Sequence, residues 1–469
     1  MVEALGWAAF LGAFAGTLVL MSERGYRDGL RIAWFAATLA VPAWFHLSFR
    51  SVDLGAIMGV GLATVLATLF RPFPGTRSPW VLIDLLLVFI VLSAIITEVA
   101  NRTLIPGTVI ELVRTWILPY LLGRLCVEAW PEMRRSLPII VLLATILAVF
   151  AIVESLLQVN LLAVASGKKW DLLEKGEGFR WGLKRAQGVA NHPIYLGLLL
   201  SLTLPWLLVA GRAAQRGEAP RWWRFAPVLV VFAAILTVSR SAHMAIMIVL
   251  LADQFFRKPN YRLPMIAIGA VGGLAFFVFR EQVLDMFGAY AGEGTVGEDT
   301  VRIYGVEYPY TGTRHRDLLV EAYAEGIDQA SWVGYGTQLQ GMPQDPAMDI
   351  RFKSIDHHYL LHYLRYGYLG TIALIAFAVA VAWNLGREAL ARNGPLSELA
   401  AGLFGAFVAV ALIVRGVALS FDFGATWLFV AGIAGSLYAR RLAGIVPISN
   451  MMSTTHGEEP RPMPSRSGN

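Results

Sequence analysis

Apolar residues in this chain come in blocks of about 16–22 separated by short polar breaks, the spacing of helices that cross a bilayer. Charge supports that reading over a large soluble helical bundle. Only 15 % of the 469 residues are charged, whereas a water-facing surface normally calls for about 25 %. The blocks predict an all-α polytopic membrane protein with about 12–13 transmembrane helices and a large outer loop containing short helices. The predicted spans are 4–21, 30–47, 53–70, 80–97, 108–126, 137–158, 193–210, 225–239, 242–256, 263–279, 358–383, 399–414 and 422–439. The weakest is 108–126, which carries Glu111, Arg114 and Pro119. Only Arg240 and Ser241 separate 225–239 from 242–256, so that pair must turn tightly or be partly re-entrant.

Two breaks are long, 159–192 and 281–356. The transmembrane unit is expected over 1–446, and the Ser, Thr, Pro, Gly and charge-rich tail 447–469 as a disordered cytoplasmic segment. The first apolar run begins at Ala4 with no basic stretch before it, so it reads as a retained span and not a cleaved signal. A single cysteine, Cys126, excludes an internal disulfide, and no Cys/His cluster suggests a metal.

Positive charge predicts sidedness. The odd-numbered breaks hold Arg24, Arg27, Arg31, Arg71, Arg77, Arg124, Arg134, Arg135, Arg212, Arg216, Arg221, Arg224, Arg257, Lys258, Arg262, Arg387 and Arg392, against Arg50, Arg102, Arg240 and Arg415 in the short even breaks. Cytoplasmic loops collect Lys and Arg, so the odd side is expected inside and both long loops outside. The pI near 9.4 needs no nucleic acid to explain it.

Within the large loop, 312–330 reads as a surface helix, with Leu318, Leu319, Ala322 and Tyr323 at helical spacing. A GYG at 334–336 and an irregular Pro/Asp-rich stretch at 342–349 follow. Such a loop is either a cover for a site or a passive connection.

The densest group of chemically capable residues is SIDHHYLLHYLRYGYLG, 354–370. His357 and His358 stand at the mouth of a span, with His362 and Arg365 following at one-turn intervals below His358. Either of the first two suits proton transfer near neutral pH; equally, imidazoles and tyrosines anchor helices at the headgroup level. Arg240, in LTVSRSAH, is the lone charge between two apolar runs. It is costly there unless paired or set against an anion, and its fork suits phosphate, whether of a substrate or of a lipid headgroup. Arg180, Lys184, Arg185, Arg314, Arg316 and Arg415 lie in the same outer loops and offer a cationic lining, with Asp422 as a partner for Arg415. Acidic candidates on that face are Glu293, Glu298, Asp299, Glu307, Asp317, Glu321 and Asp356. No spacing among them compels a two-carboxylate mechanism. GxxxxGK[ST], HExxH, GxSxG and CxxC are all missing, which leaves ATP-driven and zinc-dependent hydrolysis without support.

Across roughly 185–375 the order of motifs resembles the bacterial O-antigen ligase and surface polysaccharide polymerase superfamily, polyprenyl-pyrophosphate-dependent glycosyltransferases of the inner membrane. The matching stretches are Gly188 to Pro193; Thr237, Ser239 and Arg240; Arg314 to Leu318 with Gly334 and Gly336; and Ser354 to His358 with Gly367 and Gly370. The family's His-Asn pair is His357-His358 here, and its NPN-like segment reads NHP at 191–193. The resemblance implies a periplasm-facing transferase that moves a glycan from a polyprenyl-pyrophosphate donor to an acceptor hydroxyl, inverting and without metal or cofactor. Polymerisation and ligation to a lipid A-core or other acceptor share that donor chemistry. It implies catalytic roles for His357, Arg240 and Arg314, with Arg185, His358, Arg316, Arg415 and Arg180 toward substrate. Partners would be the lipid-linked donor, an acceptor glycan or glycolipid, the bilayer and polysaccharide assembly proteins. The rivals are a transporter of an anionic or lipid-linked solute, which would need a mid-bilayer polar cavity and inverted repeats, and a non-catalytic scaffold.

Overall fold

A computed structural model describes residues 2–49, 52–70, 79–168, 178–180, 182–279, 282, 300–310, 314–343, 352, 354–391 and 394–443. Helices of six residues or more are numbered in chain order. They are α1 (Val2–Arg24), α2 (Tyr26–Leu39), α3 (Ala56–Phe70), α4 (Leu82–Ala100), α5 (Pro106–Leu112) and α6 (Leu118–Leu125). Then come α7 (Leu137–Leu157), α8 (Leu161–Ser166), α9 (Pro193–Gln215), α10 (Ala226–Leu236), α11 (Arg240–Arg257) and α12 (Arg262–Val278). Last are α13 (His315–Ala322), α14 (Ala324–Gln329), α15 (His358–Ala391), α16 (Pro395–Ile413) and α17 (Phe421–Leu442). Every predicted span holds a helix. Among the described residues, seven helices are by themselves long and apolar enough to cross a membrane; the others are shorter or more polar.

Among the described residues, three two-stranded antiparallel hairpins were not legible in the apolar pattern. They are β1 (His46–Phe49) with β2 (Val52–Gly55), β3 (Phe179–Arg180) with β4 (Leu183–Lys184), and β5 (Thr300–Ile303) with β6 (Val306–Pro309). The predicted span 30–47 therefore stops being helical at Leu39, and its last residues start a hairpin. The span 108–126 is helical but interrupted by a π-turn at Val113–Ile117 just before Pro119, which has no N–H to continue an α ladder. The predicted loop helix 312–330 is two pieces, α13 and α14, broken at Tyr323. The tail 447–469, the stretch 344–350 and the carboxylates Glu293, Glu298 and Asp299 lie outside the described residues.

Helices α9 and α17 are the most enclosed spans and carry the core. Lipid offers no hydrophobic drive for helix pairing, so close contact relies on small residues. Gly432 of α17 sits on the Tyr120 carbonyl of α6, and Gly123 returns the contact to Phe429. Ring stacks fill the larger gaps: Trp34 on Phe429 at 4.5 Å and Phe407 on Trp427 at 4.6 Å.

The alternation of helices brings like ends together. At one end arginines meet buried and half-buried carboxylates: Arg31 (0 % exposed) with Asp28 and Glu128, Arg124 with Asp84, Arg212 with Asp253 and Glu398, and Arg441 with Glu388. The opposite end bears the β1–β2 hairpin, the 159–192 connection and the large loop. It also holds a break inside a long span. At Gly367 (φ 64°, ψ −160°) α15 leaves helical geometry. The carbonyls of Leu364 and Arg365 then accept from Tyr335 and Gly336 N–H at 2.8 and 2.9 Å, while Tyr368 and Leu369 N–H donate to Ser331 and Trp332 oxygens. Two i→i−4 bonds, 368 to 364 and 369 to 365, are thus exchanged for four bonds to segment 331–336.

The glycines of the GYG and YGYLG motifs explain one another. A Cβ on Gly334 would strike the Arg365 backbone, and one on Gly367 would stand 2.5 Å from the Trp332 oxygen. That backbone region is essentially glycine-only. Gly367→Ala is expected to cost at least about 1–3 kcal/mol from backbone strain alone. In detergent-solubilised protein this reads as a clear drop in melting temperature, whereas Gly269→Ala, exposed within α12, does not lower it.

Candidate functional site at the loop-bearing end

Segment 183–193 enters this end as a tightly fastened turn. Lys184 and Glu154 form an ion pair at 2.9 Å with 2 % and 0 % exposure. The second Glu154 oxygen accepts Gln187 and Gly188 N–H at 3.2 and 2.7 Å. Asn160 Nδ2 donates to the Gly188 oxygen and Ser155 Oγ to that of Lys184. Glu154 would be prohibitively costly in an apolar helix alone, and here both of its oxygens are engaged.

The same turn caps α10. Ala186 N–H reaches the Leu236 oxygen at 3.0 Å and Arg185 Nε the Thr237 oxygen at 3.3 Å. Arg185 is therefore buried against a helix C-terminus, where its charge suits the end carbonyls. The α10–α11 turn is tight, as its sequence requires: Val238 has φ 44°, a strained setting for a β-branched residue. Ser239 caps α11, and Arg240 is its first residue, half-buried. Gly197 on α9 admits Ala242 of α11 against it, which sets Arg240 level with the first turns of α9.

Two histidines start helices here in the same way. His192 Nδ1 accepts Ile194 N–H at 3.1 Å at the head of α9, and His357 Nδ1 accepts Leu360 N–H at 3.1 Å at the head of α15. An Nδ1 that accepts carries no proton, so each neutral ring bears its proton on Nε2 and presents a donor. Burial, then the Arg185 and Arg180 guanidinium groups, push His192 down to about 4. Burial, then Arg415, hold His357 below the usual histidine range, with Arg316 acting the same way and Asp317 opposing it. His357, Arg415, Arg316 and Asp317 therefore share one neighbourhood.

The remaining predicted residues divide between rim and interior. His358 is buried (8 % exposed). Its N–H binds the Val414 oxygen, its ring lies 5.7 Å from that of His362, and neither ring nitrogen has a hydrogen-bond partner among the described residues. Arg316 Nε donates to the Gly416 oxygen at 2.6 Å, which docks α13 on the α16–α17 turn. Arg415 is exposed on that turn. The expected Arg415–Asp422 pair is replaced: Asp422 accepts the Asn191 N–H at 2.7 Å and its Nδ2 at 3.2 Å, because the 191–192 turn is pressed onto the head of α17. Lys168 Nζ completes that chain on Asn191 Oδ1 at 2.7 Å. Arg314 precedes α13, and Arg180 lies in β3 within electrostatic reach of His192. Arg180, Arg185, Arg240, Arg314 and Arg316 are all engaged within the chain. Asp356 and Asp422 both lie within electrostatic reach of Tyr195 on α9, which links the α15 head to the α9 head. Among the described residues no three His, Cys, Asp or Glu gather closely enough to hold a metal ion.

Glu98 and Glu154 were not singled out from sequence, and Asn191 entered only as part of the NHP segment. Glu98, at the end of α4, accepts Thr337 N–H and Oγ1 at 2.6 Å each and Thr103 Oγ1 at 2.5 Å, tying segment 331–337 to the bundle. The available signal was a carboxylate near the end of an apolar run, in both α4 and α7.

The chain is a polytopic, largely helical membrane protein. No protein-family model matches it, and no curated protein does.

The neutral His192 gives a pH test. Its folded value lies near 4, below the ordinary 6.5, so between these values the unfolded chain binds the proton and the folded one does not. Stability from this group is fully present above about pH 6.5 and is lost progressively as pH falls toward about 4. His192→Asn keeps a capping side chain and removes the titration. Melting temperature in detergent should fall less steeply over that window in the variant than in the wild type.

Proposed function

We propose that the protein is a periplasm-facing transferase of the bacterial inner membrane. It moves a glycan from a polyprenyl-pyrophosphate donor to an acceptor sugar hydroxyl, as a surface polysaccharide polymerase. The observation carrying this reading is the gathering of Arg180 and Arg185 about His192 and of Arg316 and Arg415 about His357, two helix-capping histidines at the end of the bundle where Arg240 opens α11. The motif order of the sequence supports it, and the arginine excess of the opposite end supports the orientation.

The chemistry fits those groups. Arg240 and Arg314, with Arg185 behind them, balance the pyrophosphate charge as the bond from the anomeric carbon to its oxygen breaks. The acceptor oxygen bonds to that carbon from the opposite face, and configuration inverts. The hydroxyl proton ends on the departing pyrophosphate. His357, with Nδ1 committed to the cap, uses Nε2–H to hold an oxygen in place. Ligation to a lipid acceptor would use the same steps.

Reconstituted turnover of a polyprenyl-pyrophosphate glycan tests this directly. Arg240→Ala should lower the rate about 10²–10³-fold, the range for loss of one anion-stabilising donor. His357→Ala should also be strongly impaired, while His357→Asn, which caps and donates, keeps most activity. Normal turnover by correctly inserted R240A removes the proposed role. An inactive H357N would make His357 a base instead of a donor. A ladder of products marks polymerisation; a single block transfer marks ligation.

A further inference from the structure

A cavity of about 150 Å³ lies beneath the β1–β2 hairpin, between the heads of α3, α9 and α17, the end of α2 and the π-turn. Its polar lining is Thr38, His46, Asp53, Arg114, Asn191 and Asp422. None of the roles above uses Thr38, His46, Asp53 or Arg114.

The charges lining it are already compensated. Arg114 holds Glu111 through Nε and Nη2 at 2.7 and 2.6 Å and lies 4.2 Å over the Phe421 ring. Asp422 is engaged by Asn191. Asp53 accepts Ser48 Oγ at 2.7 Å and stands 3.9 Å from His46 Nε2. A phosphate placed here meets two carboxylates, and a cation meets Arg114. What is left over is a mixture of donors and acceptors. Arg114 Nη1 has no hydrogen bond among the described residues. His46 contacts the Ala43 oxygen through Nδ1, which leaves Nε2 as an acceptor. Such a set suits hydroxyl groups, each of which donates and accepts at once. The volume is that of several waters at about 30 Å³ each, or one sugar ring. Asn191 and Asp422 border both this cavity and the His192–Tyr195 side of the basic cluster.

We infer that this cavity is a subsite for one uncharged sugar unit of the glycan. The inference rests on the transferase reading for its place in turnover, but not for binding itself. The probe is radiolabelled glycan freed from its lipid by mild acid hydrolysis of the host's lipid-linked pool, with equilibrium binding measured on nanodisc-embedded protein. Gly55→Leu fills the cavity, and its Cβ would stand 3.6 Å from His46 Cβ, an ordinary contact. Thr38→Val removes one hydroxyl without changing bulk.

Saturable binding by the wild type, weakened at least tenfold in G55L and severalfold in T38V at unchanged melting temperature, supports the subsite. Binding retained in R240A beside absent transfer in the wild type would sink the transferase reading alone. Where transfer occurs, a raised acceptor KM in G55L marks an acceptor subsite, and a raised donor KM a donor one. No saturable binding by the wild type, or equal binding by G55L and T38V, overturns the inference. Should G55L fail to fold, T38V decides by the same criterion.

Discussion

A helix that breaks in a setting poor in water must hand its freed backbone groups to something else. In α15 that something is segment 331–336, and much of the loop-bearing end depends on the exchange. Gly367 releases two carbonyls and two N–H groups, and the segment satisfies all four. Glu98 then fixes the next residues of the segment to α4 through Thr337. The large loop is thus held from within the bundle at one point and by Arg316 on Gly416 at another. The residues at the head of α15, His357 among them, are positioned between these two fastenings.

Charge is handled differently at the two ends. At the arginine-rich end, guanidinium groups sink into partners: Arg31, fully buried, bonds a backbone oxygen of Cys126 and another of Glu132 besides its carboxylates. These residues were counted as topological signals, yet Arg31, Arg124 and Arg212 are also structural members. At the loop-bearing end, Arg415 is exposed and Arg240 half-buried, with carboxylates Asp356 and Asp317 nearby in the fold. Low-dielectric surroundings make the first arrangement rigid.

The two capping histidines show how local geometry limits chemistry. A base at Nε2 needs its proton on Nδ1, and at both positions Nδ1 is already an acceptor for a helix N–H. His358, the neighbour in sequence, has the opposite condition, with both nitrogens without partners among the described residues but the ring buried. One residue of displacement along the chain separates a donor at the rim from an imidazole in the interior.

Sequence alone determined the helical, membrane-embedded class and the apolar runs in which the helices lie. These follow from the length of apolar runs and the positions of charges, which are local quantities. It marked the glycines at 334, 336, 367 and 370 as a pattern without saying why. Only the tertiary structure decided that Gly334 and Gly367 serve one backbone crossing, since the residues that require them lie about thirty positions away. It also decided that Asp422 belongs to Asn191 and not to Arg415, a pairing across 231 positions. The β1–β2 hairpin was hidden because its apolar residues blend with the flanking helices. The pairing that defines it, His46 with Gly55, is a matter of register and not of composition.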